Sequence, residues 1–356
     1  MRFLLNMYLN QSVRVKFNQT HSDFFHVANG VKQGGVLSPI LFSIYIDILI
    51  QSLQNSGYGC RVGDMYVGCI AYADDILILT TSLYSLNKMI NICEQYAKEF
   101  QVKSNGNKSK LIIFQKKKDI CNPCVSISSQ NVEIVDEINY LGFKISSVNE
   151  GVCLSSLVND FNIKVNSFLG DFNQVTSVLK NNLFPLYCTS YYGSHLCDIR
   201  NLEEMNVQWR KAIRRVWGLP YRAHSNLVYG TCKLLPPEVI FLKRFVNFFY
   251  NGLKSDNNVI SYLFRASITN NSRLGLNYRY ILHKLNISLN DNLTDLDATP
   301  ALLCNKIVEN WNSNLREVDK RVGEHILELI KRRDSLDKWI LNKNEIQEVI
   351  DMLSTD

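Results

Sequence analysis

No stretch of this chain approaches the about 18 uninterrupted apolar residues that cross a bilayer as a helix, so no membrane-spanning helix is expected. The Phe3-Leu4-Leu5 run is broken by Asn6 and Asn10 and does not read as a secretory leader. Cys121-Asn122-Pro123-Cys124 has no second Cys-x-x-Cys pair, and a structural zinc site usually takes its four ligands as two such pairs. That motif therefore reads as a turn. The ten cysteines are scattered, several inside apolar runs where a free thiol packs as a small hydrophobe. A reducing interior, nuclear or cytoplasmic, is the expected location, and secretion is not. There is no internal repeat and no long low-complexity tract. Nor is there a strong charge excess: 39 basic against 33 acidic residues leave a net charge of +6. That permits a polyanionic partner without requiring one.

The distribution of charge says more than its sum. Residues 103–118 hold six lysines and no acid. Residues 209–222 hold five basic residues and no acid, interleaved with Trp209, Trp217 and Tyr221. A length of 356 residues suffices for two or three domains with cores of their own.

Hydrophobic periodicity organises the first 145 residues. Alternation at Val13, Val15 and Phe17, with a return at Phe24–Val27, predicts a β-hairpin. Ser38-Pro39 reads as N-cap and first helical residue. A helix follows with Ile40, Leu41, Ile44, Tyr45, Ile48, Leu49 and Leu53 on its core face, ended by Gly57. Asp47 sits at the edge of that face, and a cap or a basic partner is the expected role. Val67–Ala71 and Ile76–Leu79 read as two strands joined by a very tight turn, Tyr72-Ala73-Asp74-Asp75. A second amphipathic helix carries Leu83 to Phe100, and Gly106 turns the chain into a strand at 111–114. A further strand pair surrounds 132–135 and 140–145. This order predicts an α+β layer: a mainly antiparallel sheet with helices on one face. Beyond 150 the spacing turns helical, at Leu154–Lys180 and Leu202–Val216, punctuated by Pro220, Pro236-Pro237 and Gly252. From about 255 the chain is polar and Asn-rich, then a charged helix with Val318, Val322, Ile326 and Ile330 on one face.

Two adjacent carboxylates between apolar strands repel unless a cation holds them. Divalent metal ions do so in enzymes of phosphoryl transfer, where two metals sit about 3.5–4 Å apart. A solvated turn is the plainer reading of Asp74-Asp75 alone. Three other features accompany it: Asn29-Gly30-Val31-Lys32-Gln33-Gly34-Gly35 upstream, and Asn105-Gly106-Asn107-Lys108 and Tyr140-Leu141-Gly142 downstream. In that order the set resembles the reverse transcriptase of LINE-type (non-LTR) retrotransposons, over about the first 145 residues and more weakly through 209–226.

The resemblance implies an RNA-directed DNA polymerase palm over 1–147, a thumb-like helical region over 148–254, and a C-terminal helical region over 255–356. It implies two magnesium ions, or manganese, on Asp74 and Asp75. RNA template, DNA primer and deoxynucleoside triphosphates are the implied partners. Gln33, Gly34, Gly35 and Tyr72 would lie against template or nucleotide; for Tyr72 a core position on the strand is the rival reading. Glycines there would let the backbone approach a ligand closely. Lys108 would serve the pyrophosphate leaving group by charge or proton transfer, or is one lysine of a solvated stretch. Tyr140, Leu141 and Gly142 would grip the primer, or form a plain hairpin. Arg210, Lys211, Arg214 and Arg215 form a row suited to phosphates, on a helix that turns Trp209, Ile213 and Trp217 to a core.

The sequence departs from the family where a further catalytic aspartate is expected upstream of Gly30: the acid there is Asp23, in a different context. The expectation is of a piece lacking the fingers and the first catalytic strand, with little polymerase activity of its own. The alternatives are a non-catalytic nucleic-acid-binding remnant and an unstable relic with an open sheet edge. A group II intron-type reverse transcriptase is a more distant resemblance.

Overall fold

The computed structural model describes residue 6 and residues 11–27, 30–114, 124–147, 151–221, 223, 225–287 and 300–313. Asn29, Cys121, the lysines at 116–118, Arg222 and the helix face at 318–330 lie outside the described residues. The chain divides into two compact units, one formed by 1–111 with 117–133, the other by 112–116 with 134–356. Helices and small antiparallel ladders alternate in the first, giving the α+β character expected.

In the first unit β1 (Ser12–Val13) pairs with β4 (Phe25–His26), and β2 (Lys16–Phe17) with β3 (Thr20–His21), which makes the expected hairpin. Helix α1 spans Ser38–Asn55 with Pro39 in its first turn. Ser38 is not its side-chain cap: the N-cap residue is Leu37, and the Ser38 hydroxyl donates to the Lys32 carbonyl. Gly57, at φ +76°, ends the helix in the left-handed conformation that glycine adopts without strain. The core face also differs from expectation. Ile46, Leu49 and Leu53 are buried, whereas Ile40, Ile44 and Ile48 form an exposed row one turn apart. The helix is apolar on two sides, so periodicity alone could not say which one faces inward.

The ladder β5 (Arg61–Val62) with β6 (Met65–Tyr66) leads into β7 (Cys69–Tyr72) and β8 (Asp75–Ile78). These last two pair with Tyr72 opposite Asp75 and Cys69 opposite Ile78. Helix α2 (Leu83–Glu99) starts at Ser82, whose hydroxyl accepts from the Ser85 amide. The unit's core joins Leu49 and Leu53 of α1 to Met89 and Tyr96 of α2, with Cys69, Ile76 and Ile78 of the hairpin packed on it. Leu53 and Met89 are wholly buried, each contributing about 2–3 kcal/mol of apolar burial. The Tyr96 hydroxyl donates to the Tyr45 carbonyl at 2.7 Å, pinning α2 to α1. The unit closes with β9 (Lys110–Leu111), β10 (Ser126–Ile127) and β11 (Gln130–Asn131), the last two forming a hairpin, and β12 (Glu133–Ile134) runs across its boundary.

The second unit opens with β13 (Glu137–Tyr140), β14 (Phe143–Ser146) and β15 (Gly151–Val152), a three-stranded sheet in that order. Helices follow: α3 (Leu154–Asp171), α4 (Ser177–Cys188), α5 (Glu203–Trp217), α6 (Ser225–Cys232), α7 (Pro237–Leu253), α8 (Asn258–Thr269) and α9 (Arg273–Lys284). Residues 300–313 are helical as well. One core runs from Val158 to Ile307 and includes the wholly buried Trp209, Phe184, Phe241 and Phe245. The Asn-rich stretch after 255 therefore contains two core helices, α8 and α9. Their caps are Asn257, accepting from the amides of Val259 and Ile260, and Ser272, accepting from that of Gly275. Gly252 does not break α7. It is buried inside it, and a Cβ there would meet the Phe264 ring at 2.4 Å.

Several of the scattered cysteines behave as core groups: burial pushes the Cys93, Cys188 and Cys197 thiols up to about 12, so they are not thiolates near neutral pH. Among the described residues no helix is long and apolar enough to cross a membrane.

Two substitutions test this packing. At Gly275 a Cβ would lie 2.0 Å from the Ser267 carbonyl oxygen, so Gly275→Ala should force α8 from α9 and destabilise by about 2 kcal/mol or more in urea unfolding. Ala73 sits at φ +52°, where a Cβ is strained by about 1–2 kcal/mol. Ala73→Gly should stabilise by about 0.5–1 kcal/mol, the relief being partly offset by the freer unfolded chain.

Candidate active site

The acidic tip is a two-residue hairpin loop. Tyr72 and Asp75 close the ladder, leaving Ala73 and Asp74 as the central residues. Positive φ at the first central position and not the second is the II′ pattern, whose twist suits paired strands. Alternation along the ladder then assigns the faces. Cys69, Ala71, Ile76 and Ile78 point toward the helices, and three of them pack on the core of α1 and α2. Ile70, Tyr72, Asp75 and Leu77 share the opposite face, and Tyr72 is 64% exposed. The core position considered for Tyr72 is thus not the one it holds. Asp74 and Asp75 are both exposed. The acids can be presented this way because apolar packing of the inner face holds the strands from behind.

The glycine loop precedes α1 directly. Gly34 needs to be glycine for its φ of +75°. Gly35 needs to be glycine for packing: a Cβ would lie 2.7 Å from Ser38 Oγ and 3.1 Å from the Lys32 carbonyl oxygen. Close approach to a ligand is therefore not required to explain either residue. Gln33 is exposed at the turn. Because α1 packs on the hairpin's inner face, this loop and the acidic tip belong to one framework within the first unit.

Lys108 is exposed on a turn whose amide hydrogen-bonds to Asn105. The neighbouring Gly106 is buried, and a Cβ would lie 2.8 Å from Gln130 Cβ and the Ile127 carbonyl oxygen. So the turn carrying Lys108 rests on the β10–β11 hairpin. Asp47 accepts from Gln51 Nε2 at 2.6 Å, an amide one turn on rather than a basic partner.

In the second unit Tyr140 and Phe143 close another two-residue loop, Leu141-Gly142, with φ of +49° and +80°. The basic row on α5 is less free than its sequence implies. Arg210 pairs with Glu203 at 2.6 Å and donates to the Tyr229 hydroxyl at 3.3 Å. Arg214 donates twice to the Ala223 carbonyl, at 2.6 and 2.9 Å, and Arg215 donates to Asn166 Oδ1 at 2.8 Å. Trp209 is buried and stacks on Tyr229, so it cannot stack on a base, whereas Tyr221 is exposed. Two residues that sequence reading passed over, Tyr192 and Arg244, support the Leu141-Gly142 loop. Nothing in their local sequence marks them, because their roles come from contacts about 50 residues away.

Among the described residues no three His, Cys, Asp or Glu side chains gather as a metal cage. Two carboxylates at one exposed tip nevertheless suit magnesium, which is usually bound by one or two carboxylates with substrate phosphates and water completing its shell.

Residues 1–145 match the family described as reverse transcriptase (RNA-dependent DNA polymerase). The chain is 25% identical over 227 residues to the RNA-directed DNA polymerase from mobile element jockey of Drosophila funebris, covering 59% of this chain and 24% of that protein. It is 29% identical over 106 residues to the Pol polyprotein of the R2DM retrotransposable element of Drosophila melanogaster, covering 30% of this chain and 10% of that one. Over 54 residues it is 44% identical to the R2 Pol polyprotein of Popillia japonica, covering 15% of this chain and 8% of that one. The chain thus spans a quarter or less of the length of these relatives. Residues 1–145 thus match a reverse transcriptase domain and are similar to the polymerases of the jockey and R2 mobile elements, of the non-LTR retrotransposon kind.

Proposed function

We propose that this chain serves RNA-directed DNA synthesis, with Asp74 and Asp75 as ligands for magnesium. The observation that carries the reading is the hairpin register: Tyr72 opposite Asp75, with both acids exposed beside an outward tyrosine and the inner face anchored in the core. When bound, divalent metal would make the primer hydroxyl nucleophilic and stabilise the charge developing on phosphorus. Manganese suits the same oxygen ligands.

The remaining roles follow from position and chemistry. The Gln33–Gly35 loop offers exposed backbone and one amide side chain to template or nucleotide. Tyr72 presents a ring next to the acids, where a sugar or base would lie. Lys108, exposed on a braced turn, supplies positive charge or a proton to the departing pyrophosphate. The Tyr140-Leu141-Gly142 turn contacts the primer strand. On α5, Arg215 is the strongest candidate for a phosphate contact because it is exposed, whereas Arg210, Lys211 and Arg214 are half-buried and Arg210 and Arg214 are bonded within the fold. In this reading 1–147 act as a polymerase palm, 148–254 as a thumb-like region and 255–356 as its C-terminal extension. The substrates are an RNA template, a DNA primer and deoxynucleoside triphosphates, inside the cell and off the membrane.

A second reading is a nucleic-acid-binding segment without chemistry of its own. One observation favours it: among the described residues the tip brings together two carboxylates and no third metal-ligating side chain.

Primer extension on an RNA template separates the two. Magnesium-dependent incorporation that falls by about a thousand-fold or more in Asp74→Asn or Asp75→Asn supports the polymerase, since metal stabilisation of the reacting phosphate is worth several kcal/mol. Binding of primer–template that weakens steeply with salt, without incorporation, supports the second reading. A chain that neither binds nor extends contradicts both.

A further inference from the structure

The Leu141-Gly142 loop carries an unfavourable residue in a demanding position. Both central residues have positive φ, which is the type I′ pattern. That turn favours Asn, Asp or Gly first, and leucine there is strained by about 1–2 kcal/mol. Such strain persists only where the surroundings over-determine the conformation.

Tyr192 supplies that determination. Its hydroxyl donates to the Leu141 carbonyl at 3.2 Å. Its ring stacks on Phe143, with centroids 4.8 Å apart and planes 5° from parallel. The fit is close on both sides. A Cβ at Gly142 would lie 3.1 Å from the Tyr192 ring, and one at Gly193 would lie 2.5 Å from the Phe143 ring. Tyr192 is 60% exposed, so the stack is a surface brace and not a core contact.

The segment carrying Tyr192 is held in turn by Arg244 of α7. The guanidinium donates to the carbonyls of Ser190 at 2.6 Å, Tyr191 at 2.7 Å and Thr189 at 3.4 Å, and to Ser194 Oγ at 3.3 Å. Hydrogen bonds from a charged donor are about twice as strong as neutral ones. Tyr191, between them, is buried against Phe161 and Phe241. A continuous chain of contacts therefore runs from α7 through 189–194 to the turn.

We propose that Tyr192 is a positioning residue for a nucleic-acid strand: it sets the Leu141-Gly142 turn in its strained form, and Arg244 sets Tyr192. This rests on the reading of the turn as a primer contact. The plain alternative is a stabilising surface stack. It does not account for the hydroxyl bond to the strained residue, or for leucine where asparagine would form the turn unaided.

The test measures the full chain's binding to an RNA–DNA hybrid with a recessed 3′ end, together with amide exchange at Leu141–Phe143. Tyr192→Phe should weaken binding by about two- to ten-fold, the range of one hydrogen bond, and speed exchange at the turn while leaving the thermal midpoint unchanged. Leu141→Asn in the Tyr192→Phe background should restore both, which a merely structural role would not do. Gly142→Val, which breaks the turn itself, distinguishes the failures. If it weakens hybrid binding while Tyr192→Phe binds and exchanges as the parent does, the positioning role is overturned and the primer contact stands. If Gly142→Val binds as the parent does, or the parent does not bind the hybrid, the primer contact fails and the positioning role with it.

Discussion

The arrangement of this protein's first unit depends on one constraint, the register of a four-residue ladder. Because Tyr72 pairs with Asp75, the side chains of 69–78 divide strictly between two faces. Cys69, Ile76 and Ile78 go inward onto α1 and α2, and that leaves Tyr72 and Asp75 outward. A slip of one residue would bury an aspartate and expose the isoleucines. Apolar burial on one side thus fixes where the charge stands on the other. Charge alone could not do so, since two neighbouring carboxylates repel.

Positive φ recurs in the two-residue loops, at Asn18 and at Ser128-Ser129 among others, and two cases bear on the candidate site. Ala73 at the acidic tip and Leu141 at the second loop are both non-glycine residues with positive φ in two-residue turns. Glycine or asparagine would relax either one. In each case the flanking strands or a neighbouring side chain hold the conformation: core packing behind β7–β8, and Tyr192 behind β13–β14. Backbone strain held by rigid surroundings is a feature of functional turns. The same economy of glycine appears at Gly35, Gly106 and Gly275, where the missing Cβ lets backbone or side chains of a neighbouring segment come close.

Much of the first unit was legible in the sequence. The β-branched runs around Tyr72–Asp75 have strand periodicity and a length that admits only a tight turn. Gly57 marks a helix end by chemistry that acts within a few residues. What was not legible came from longer-range contacts or from ambiguity in the pattern. Helix α1 is apolar on two sides, so Ile40, Ile44 and Ile48 were assigned inward and lie outward. Ser38 has the composition of a cap, but its hydroxyl serves Lys32. Helices α8 and α9 were hidden by their asparagines, although Asn257 and Ser272 are ordinary caps. The basic row on α5 showed its charge and not its partners, Glu203, Ala223 and Asn166, which lie from 7 to 49 residues away in sequence. Tyr192 and Arg244 were invisible for the same reason.

Family likeness and geometry meet at the acidic tip, and metal binding there is the central claim. Terbium luminescence sensitised through tyrosine measures it without any need for turnover, because Tyr72 is the cross-strand partner of Asp75. The account predicts emission on tyrosine excitation, displaced by magnesium, reduced in Tyr72→Phe and lost when Asp74 and Asp75 are both changed to asparagine. Emission that is unchanged in the double asparagine variant would contradict it.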